Sequence, residues 1–208
     1  MFTLSTYRLG DLVVINNLNG HEQNELLKDY PGSVGSEYIL ALRANPNVDK
    51  MELITTIAMK HVDKHLSAIP ADISQSTLLH LRLGDVVAGY AQHEMGKRPL
   101  KIDELKNMVN QANESRESVN KLYVIGKCHF SSCSSHNYDE CVKLSNVYLE
   151  KVLTDLNAEH FDSGNADIDL CCALKAKVFI QGRGFFSKLI VEIRKRLNLP
   201  VVETTVSS

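Results

Sequence analysis

Residues 76–87 read Ser-Thr-Leu-Leu-His-Leu-Arg-Leu-Gly-Asp-Val-Val. The apolar run from Ser76 to Leu83 carries His80 and Arg82 on alternate positions and then breaks at Gly84-Asp85, the pattern of a short buried strand entering a turn. A strand that ends this way places a cation at its carboxyl edge. In open α/β sheets ligands bind at that edge, so Arg82 is expected to meet an anionic group such as a phosphate. The plainer alternative is a strand running into an ordinary Gly-Asp turn, with His80 a satisfied core histidine.

A second stretch points the same way. Lys177-Val178-Phe179-Ile180-Gln181 reads as another short buried strand. It enters Gly182-Arg183-Gly184-Phe185-Phe186-Ser187 and then a helix with Leu189, Ile190, Ile193 and Leu197 on one face. Glycines in a strand-to-helix turn let backbone approach a ligand closely, and the first free N–H groups of the helix, with Ser187 beside them, form an anion site.

Around these two stretches, strands and helices alternate. The pattern predicts strands at Asp11–Ile15, Glu37–Leu42, Ser76–Leu83, Leu122–Gly126, near His160-Phe161 and from Lys177. Helices are expected over Gly20–Tyr30, from Asp49 as far as Pro70 (with Glu52 completing a capping-box variant), around Leu105, Met108 and Val109, over Tyr138–Leu156, from Asp167, and after Ser187. The tail Val201–Ser208 is expected to fray. Strands separated by helices of this length imply right-handed crossovers, hence an α/β Rossmann-like fold, mostly parallel, with helices on both faces of the sheet.

Composition bounds the function. The chain has 208 residues, 44% of them hydrophobic and 23% charged, with a formal charge of -2, so no basic surplus calls for nucleic acid or an anionic membrane. No apolar run approaches the roughly 18 residues that span a bilayer, and the start lacks a leader pattern. Five cysteines without framework spacing suit reduced thiols and a cytoplasmic protein, in the host cytoplasm if the chain is viral. Cys128-His129, Cys133, His136 and Cys141 invite a zinc reading but lack a Cys-x-x-Cys knuckle. No metal site is expected.

His80-x-Arg82-x-Gly84-Asp85 resembles the first motif of the fucosyltransferase superfamily, the α1,2-, α1,6- and protein O-fucosyltransferases. The segment Gly182–Ile190 is similar to that superfamily's Ser-Ser-Phe-Ser element, and Asn165–Leu170 stands where those enzymes carry an acidic residue that reads the nucleotide. The three agree in order and spacing and together cover residues 76 to 198. Glycosyltransferases that large algal viruses encode for capsid glycans share this look, and they widen the sugar from L-fucose to L-rhamnose. The sequence departs from the pattern in three places. Leu83 replaces a second Arg, Gly184-Phe185 stands where a Ser pair is usual, and only about 75 residues precede His80.

The resemblance implies the donor-binding half of a GT-B transferase over residues 76–208, with residues 1–75 a small α/β segment on the acceptor side. It implies transfer of a 6-deoxyhexose from a GDP- or UDP-linked donor to a glycan hydroxyl, with inversion and without a metal or other cofactor. Arg82 and Asp85 would be the catalytic pair, Asp85 as general base with His93 and Glu94 as rivals. His80, Arg82, Gly84, Gly184, Phe186 and Ser187 would hold the diphosphate, and Asp167 or Asp169 would read the base or ribose. The partners would be a nucleotide sugar and an oligosaccharide or glycoprotein acceptor, with a second copy or a further domain completing the cleft. Two other classes remain open: a non-catalytic nucleotide or phospho-ligand module, and a different doubly wound enzyme. The latter is disfavoured by the absence of a P-loop.

Overall fold

The computed structural model describes residues 20–91, 98–114, 121–129 and 138–204. The expected strand at Asp11–Ile15 lies outside them, as do His93, Glu94, Cys133 and His136. The chain opens with α1 (Gly20–Asp29), α2 (Val34–Ala44) and α3 (Lys50–Lys64), followed by β1 (Thr77–His80), β2 (Leu83–Gly84), α4 (Asp85–Ala91), α5 (Ile102–Glu114), β3 (Leu122–Ile125) and β4 (Cys128–His129). It closes with α6 (Tyr138–Leu156), β5 (Glu159–His160), α7 (Ala166–Lys175), β6 (Val178–Ile180), α8 (Phe185–Arg196) and β7 (Val201–Val202). No helix among the described residues is long and apolar enough to cross a membrane.

Five strands form one parallel sheet in the order β5-β3-β1-β6-β7. A smaller parallel pair, β2 with β4, continues β1 and β3 beyond a break in the same register: His80 lies beside Ile125, and Leu83 beside Cys128. Strand alternation sends side chains to two cores. Leu78, Tyr123 and Phe179 face α2, α3, α7 and α8. Leu79, Val124, Val178 and Ile180 face α5 and α6. The chain leaves β1 toward β3 and leaves β6 toward β7, in opposite directions along the sheet. That divergence makes the carboxyl ends of β1 and β6 a topological switch point, the place where such sheets bind ligands.

Two local expectations are corrected. Glu37–Leu42 is helix, not strand. Ser33 caps α2 by accepting the Ser36 N–H at 3.2 Å, and Val34, Tyr38 and Ile39 are buried while Leu40 is exposed. A strand would have set Tyr38 and Leu40 on one face, so the helical period wins. The tail does not fray at once, because Val201-Val202 pairs with the free edge of β6, where the Gln181 N–H donates to Val202 O at 2.9 Å. The helix from Asp49 forms as expected, with the Asp49 carboxylate accepting the Met51 and Glu52 amides. It ends at Lys64, before Pro70 is reached.

Between residues 20 and 75 the described elements are helices, α1 to α3 and two 3-10 turns. They share the core of β1, α7 and α8.

Candidate functional site

The carboxyl ends of β1 and β6 are forced together by glycine. A Cβ on Gly182 would sit 2.0 Å from the His80 carbonyl oxygen and 2.9 Å from its Nδ1, so only glycine lets the β6 turn lie against β1. Here His80 meets Ser187. The Ser187 hydroxyl and His80 Nδ1 are 2.6 Å apart and buried, and the Phe186 ring stands edge-on to the imidazole at 5.4 Å. Burial first, and the charge of Arg82 second, push the His80 pKa down to about 3, so the ring is neutral.

Arg82 is gripped on one edge. Its Nε and Nη2 donate to Asp85 Oδ1 at 3.3 and 3.2 Å, and Nη2 donates to Oδ2 at 2.9 Å. Asp85 is 2% exposed, while the Arg82 side chain keeps a quarter of its surface open. Preceding Asp85, the Gly84 N–H is held by the buried Ser145 hydroxyl of α6 at 2.9 Å, which anchors the turn between Arg82 and its carboxylate. The remaining nitrogen, Nη1, faces Gly184. A Cβ there would come within 3.1 Å of it and press the Arg82 fork aside by a few tenths of an ångström, and the φ of +99° at Gly184 is one that favours glycine. Gly184 opens α8 with no side-chain cap. The first amides of α8 and the outer nitrogen of Arg82 therefore meet at one end of the sheet.

Arg82 opens onto a cleft lined by His80, Leu81, Arg82, Val86, Pro99, Leu100, Tyr148 and Arg183. Tyr148 forms part of the wall, and its hydroxyl donates to Leu100 O at 2.7 Å. Burial, with Glu104 nearby, raises its pKa well above the usual phenol range. No carboxylate lines this cleft among the described residues.

The structure thus brings His80, Arg82, Gly84, Asp85, Gly184, Phe186 and Ser187 together, with some roles altered. Ser187, expected to touch phosphate, is fully buried and spends its hydroxyl on His80. Asp85, expected as general base, has both oxygens engaged by Arg82. Asp167 and Asp169 stand on the first turn of α7, behind the cap Asn165, and neither lines the cleft. Asp167 is buried and accepts the Val34 N–H at 3.1 Å, tying α7 to the start of α2. Asp169 accepts from the Ser163 hydroxyl at 2.6 Å, and burial raises its pKa to about 6. Arg183, which the motifs passed over, lines the cleft directly. Its signal was present in Gly-Arg-Gly at a strand end.

No family model and no curated protein matches the chain. Solved structures do. POFUT1 in its apo form is 12% identical with a TM-score of 0.45, over 74% of this chain and 49% of that one. POFUT1 with GDP-fucose is 11% identical with a TM-score of 0.43, over 74% and 49%. POFUT1 with GDP is 12% identical with a TM-score of 0.45, over 74% and 51%. The chain spans about half the length of these structures. At such identity and superposition, the chemistry of the site rests on this chain's own residues.

Proposed function

We propose that the crevice at the ends of β1 and β6 binds the diphosphate of a nucleotide sugar, and that the chain is a glycosyltransferase or the donor-binding part of one. The reaction would move L-fucose or L-rhamnose from a GDP- or UDP-linked donor to a hydroxyl of an oligosaccharide or glycoprotein, with inversion and without a metal. One observation carries this reading: Asp85 fixes one edge of Arg82 and turns its outer nitrogen toward Gly184 and the uncapped amides of α8, at the switch point of the sheet. When the glycosidic bond breaks, negative charge gathers on the departing phosphate, and a preorganised guanidinium with helix amides stabilises it. The backbone supplies what the family's Ser pair would supply. Asp85 then positions Arg82, and the proton of the acceptor hydroxyl goes to another group, for which His93 and Glu94 are the sequence candidates. The thiols of Cys171 and Cys172, which form no disulfide, would suit a reducing compartment such as the cytoplasm.

A second reading has its own observation. With no carboxylate in the described cleft lining, the chain can also be a nucleotide-binding module whose acceptor wall and base come from a second copy or another domain. Thermal shift against GDP, UDP and dTDP sugars tests binding, since a ligand at 100 times its dissociation constant adds about 2.7 kcal/mol. Donor hydrolysis or transfer separates enzyme from module. Turnover that survives EDTA supports the metal-free route, and turnover lost to EDTA and restored by manganese refutes it.

A further inference from the structure

Position 83, where the resembling family carries a second arginine, is Leu83 in β2, packed in the core between the sheet and α5 and α6. A guanidinium there would be buried away from the cleft. The neighbouring strand offers one instead. β1 and β6 run in parallel register with Leu79 beside Ile180, and three residues further along each comes an arginine, Arg82 and Arg183. Both line the same cleft.

Their surroundings differ. Arg82 is matched by Asp85. Among the described residues Arg183 makes no hydrogen bond and no ion pair, and its Nε is buried without a partner. The carboxylate within its field, Glu104, is already held by Arg98 Nη2 at 3.1 Å and by the Lys101 amide at 2.7 Å. Two guanidinium groups share a confined space with one matching carboxylate. Such an arrangement is relieved by an anion that spans both, and bidentate guanidinium geometry suits phosphate oxygens.

We propose that Arg183 is a second phosphate-binding residue, and that Arg82 and Arg183 clamp a diphosphate between the ends of β1 and β6, Arg183 taking the outer phosphate. The proposal rests on the nucleotide-sugar reading for the nucleoside, but the clamp itself needs only linked phosphates. Selectivity follows: a nucleoside diphosphate engages both arginines, a monophosphate only one.

Calorimetry with GDP, GMP, UDP, UMP and inorganic pyrophosphate on wild type, Arg183→Gln, Arg183→Lys and Arg82→Lys tests it. Arg183→Gln is expected to weaken diphosphate and pyrophosphate binding by about 10- to 100-fold and monophosphate binding by less than about threefold, the loss of one charge-assisted contact. Arg183→Lys should recover part of the loss, and the melting temperature of both variants should match wild type. Unchanged diphosphate and pyrophosphate binding in Arg183→Gln, with binding lost in Arg82→Lys, would overturn the clamp and leave the nucleotide-sugar reading standing. Pyrophosphate bound by wild type and lost in Arg183→Gln, with no nucleoside diphosphate bound at all, would keep the clamp and remove the nucleotide. Failure of wild type to bind either GDP, UDP or pyrophosphate would sink both.

Discussion

Arg183, in the turn that enters α8, and Arg194, in its last turn, differ in what separates binding from structure. At the amino edge of the sheet, Arg194 is wholly buried and its nitrogens donate to the carbonyls of Ala173, Ala176, Lys177 and Pro200. It closes the carboxyl end of α7, where a cation also suits the helix dipole, and it ties down the chain entering β6 and β7. At the carboxyl edge, Arg183 lines a cleft with a buried nitrogen that no described residue satisfies. A buried cation whose donors are saturated by backbone is a brace. A half-buried one whose buried donor no described residue meets is open to a ligand.

The sharpest way to break that contrast is to remove each arginine. Arg194→Met leaves the buried carbonyls of Ala173 and Ala176 without this donor; at about 1–3 kcal/mol for each buried acceptor left unsatisfied, it should cost about 4 kcal/mol in urea unfolding. Arg183→Gln should stay within about 0.5 kcal/mol of wild type. Equal losses at the two ends would show that Arg183 is also a brace.

Crowding, rather than charge, governs stability at the crevice. Gly182→Ala places a methyl group 2.0 Å from the His80 carbonyl and should cost about 3 kcal/mol through backbone displacement. An alanine tolerated at no cost would mean that the ends of β1 and β6 stand further apart than a shared phosphate site requires. Arg82→Lys separates the two properties again. It keeps a charge for Asp85 but loses the planar fork, so calorimetry with GDP should show binding weakened by about 2 kcal/mol with stability nearly unchanged. Unaltered binding would make Arg82 a second brace.

Strands β1, β3 and β6 were legible because buried parallel strands write themselves as short apolar runs, and Gly-Asp and Gly-Arg-Gly marked where two of them stop; the switch point was not, because it depends on the strand order. Glu37–Leu42 misled because six residues of mixed apolar and polar character fit both periods, and only the Ser33 cap and the exposed Leu40 decide between them. Within the site, the motif located His80 and Ser187 but not their mutual bond, which depends on a register between strands about a hundred residues apart. Asp167 looked like a ligand-reading acid because carboxylates favour helix starts, and here its carboxylate accepts from the Val34 N–H at the start of α2. Arg183 was overlooked because sequence does not report which arginines find partners.

The smallest effect asks whether the crevice end of α8 is as dry as the Arg194 end. His80 titrates near 3 in the folded protein against 6.5 when free, so between those values the unfolded chain binds a proton that the folded chain refuses. Stability contributed by the neutral ring is therefore complete above about pH 6.5 and is lost as pH falls. Asp169 works in the opposite sense. Its folded pKa of about 6 lies above the free value of 3.8, and its destabilising effect grows as pH rises between them. His80→Asn keeps an acceptor near the place of Nδ1 for the Ser187 hydroxyl and removes the titration, while leaving Asp169 in both proteins, so the difference between the two stability curves isolates the histidine. That difference should shift in favour of the asparagine variant by about 1 kcal/mol on going from about pH 6.5 to 5.5. Parallel curves would show that water reaches His80, and a wet imidazole at the end of β1 would make it, rather than the Ser187 helix turn, a direct contact for the phosphate.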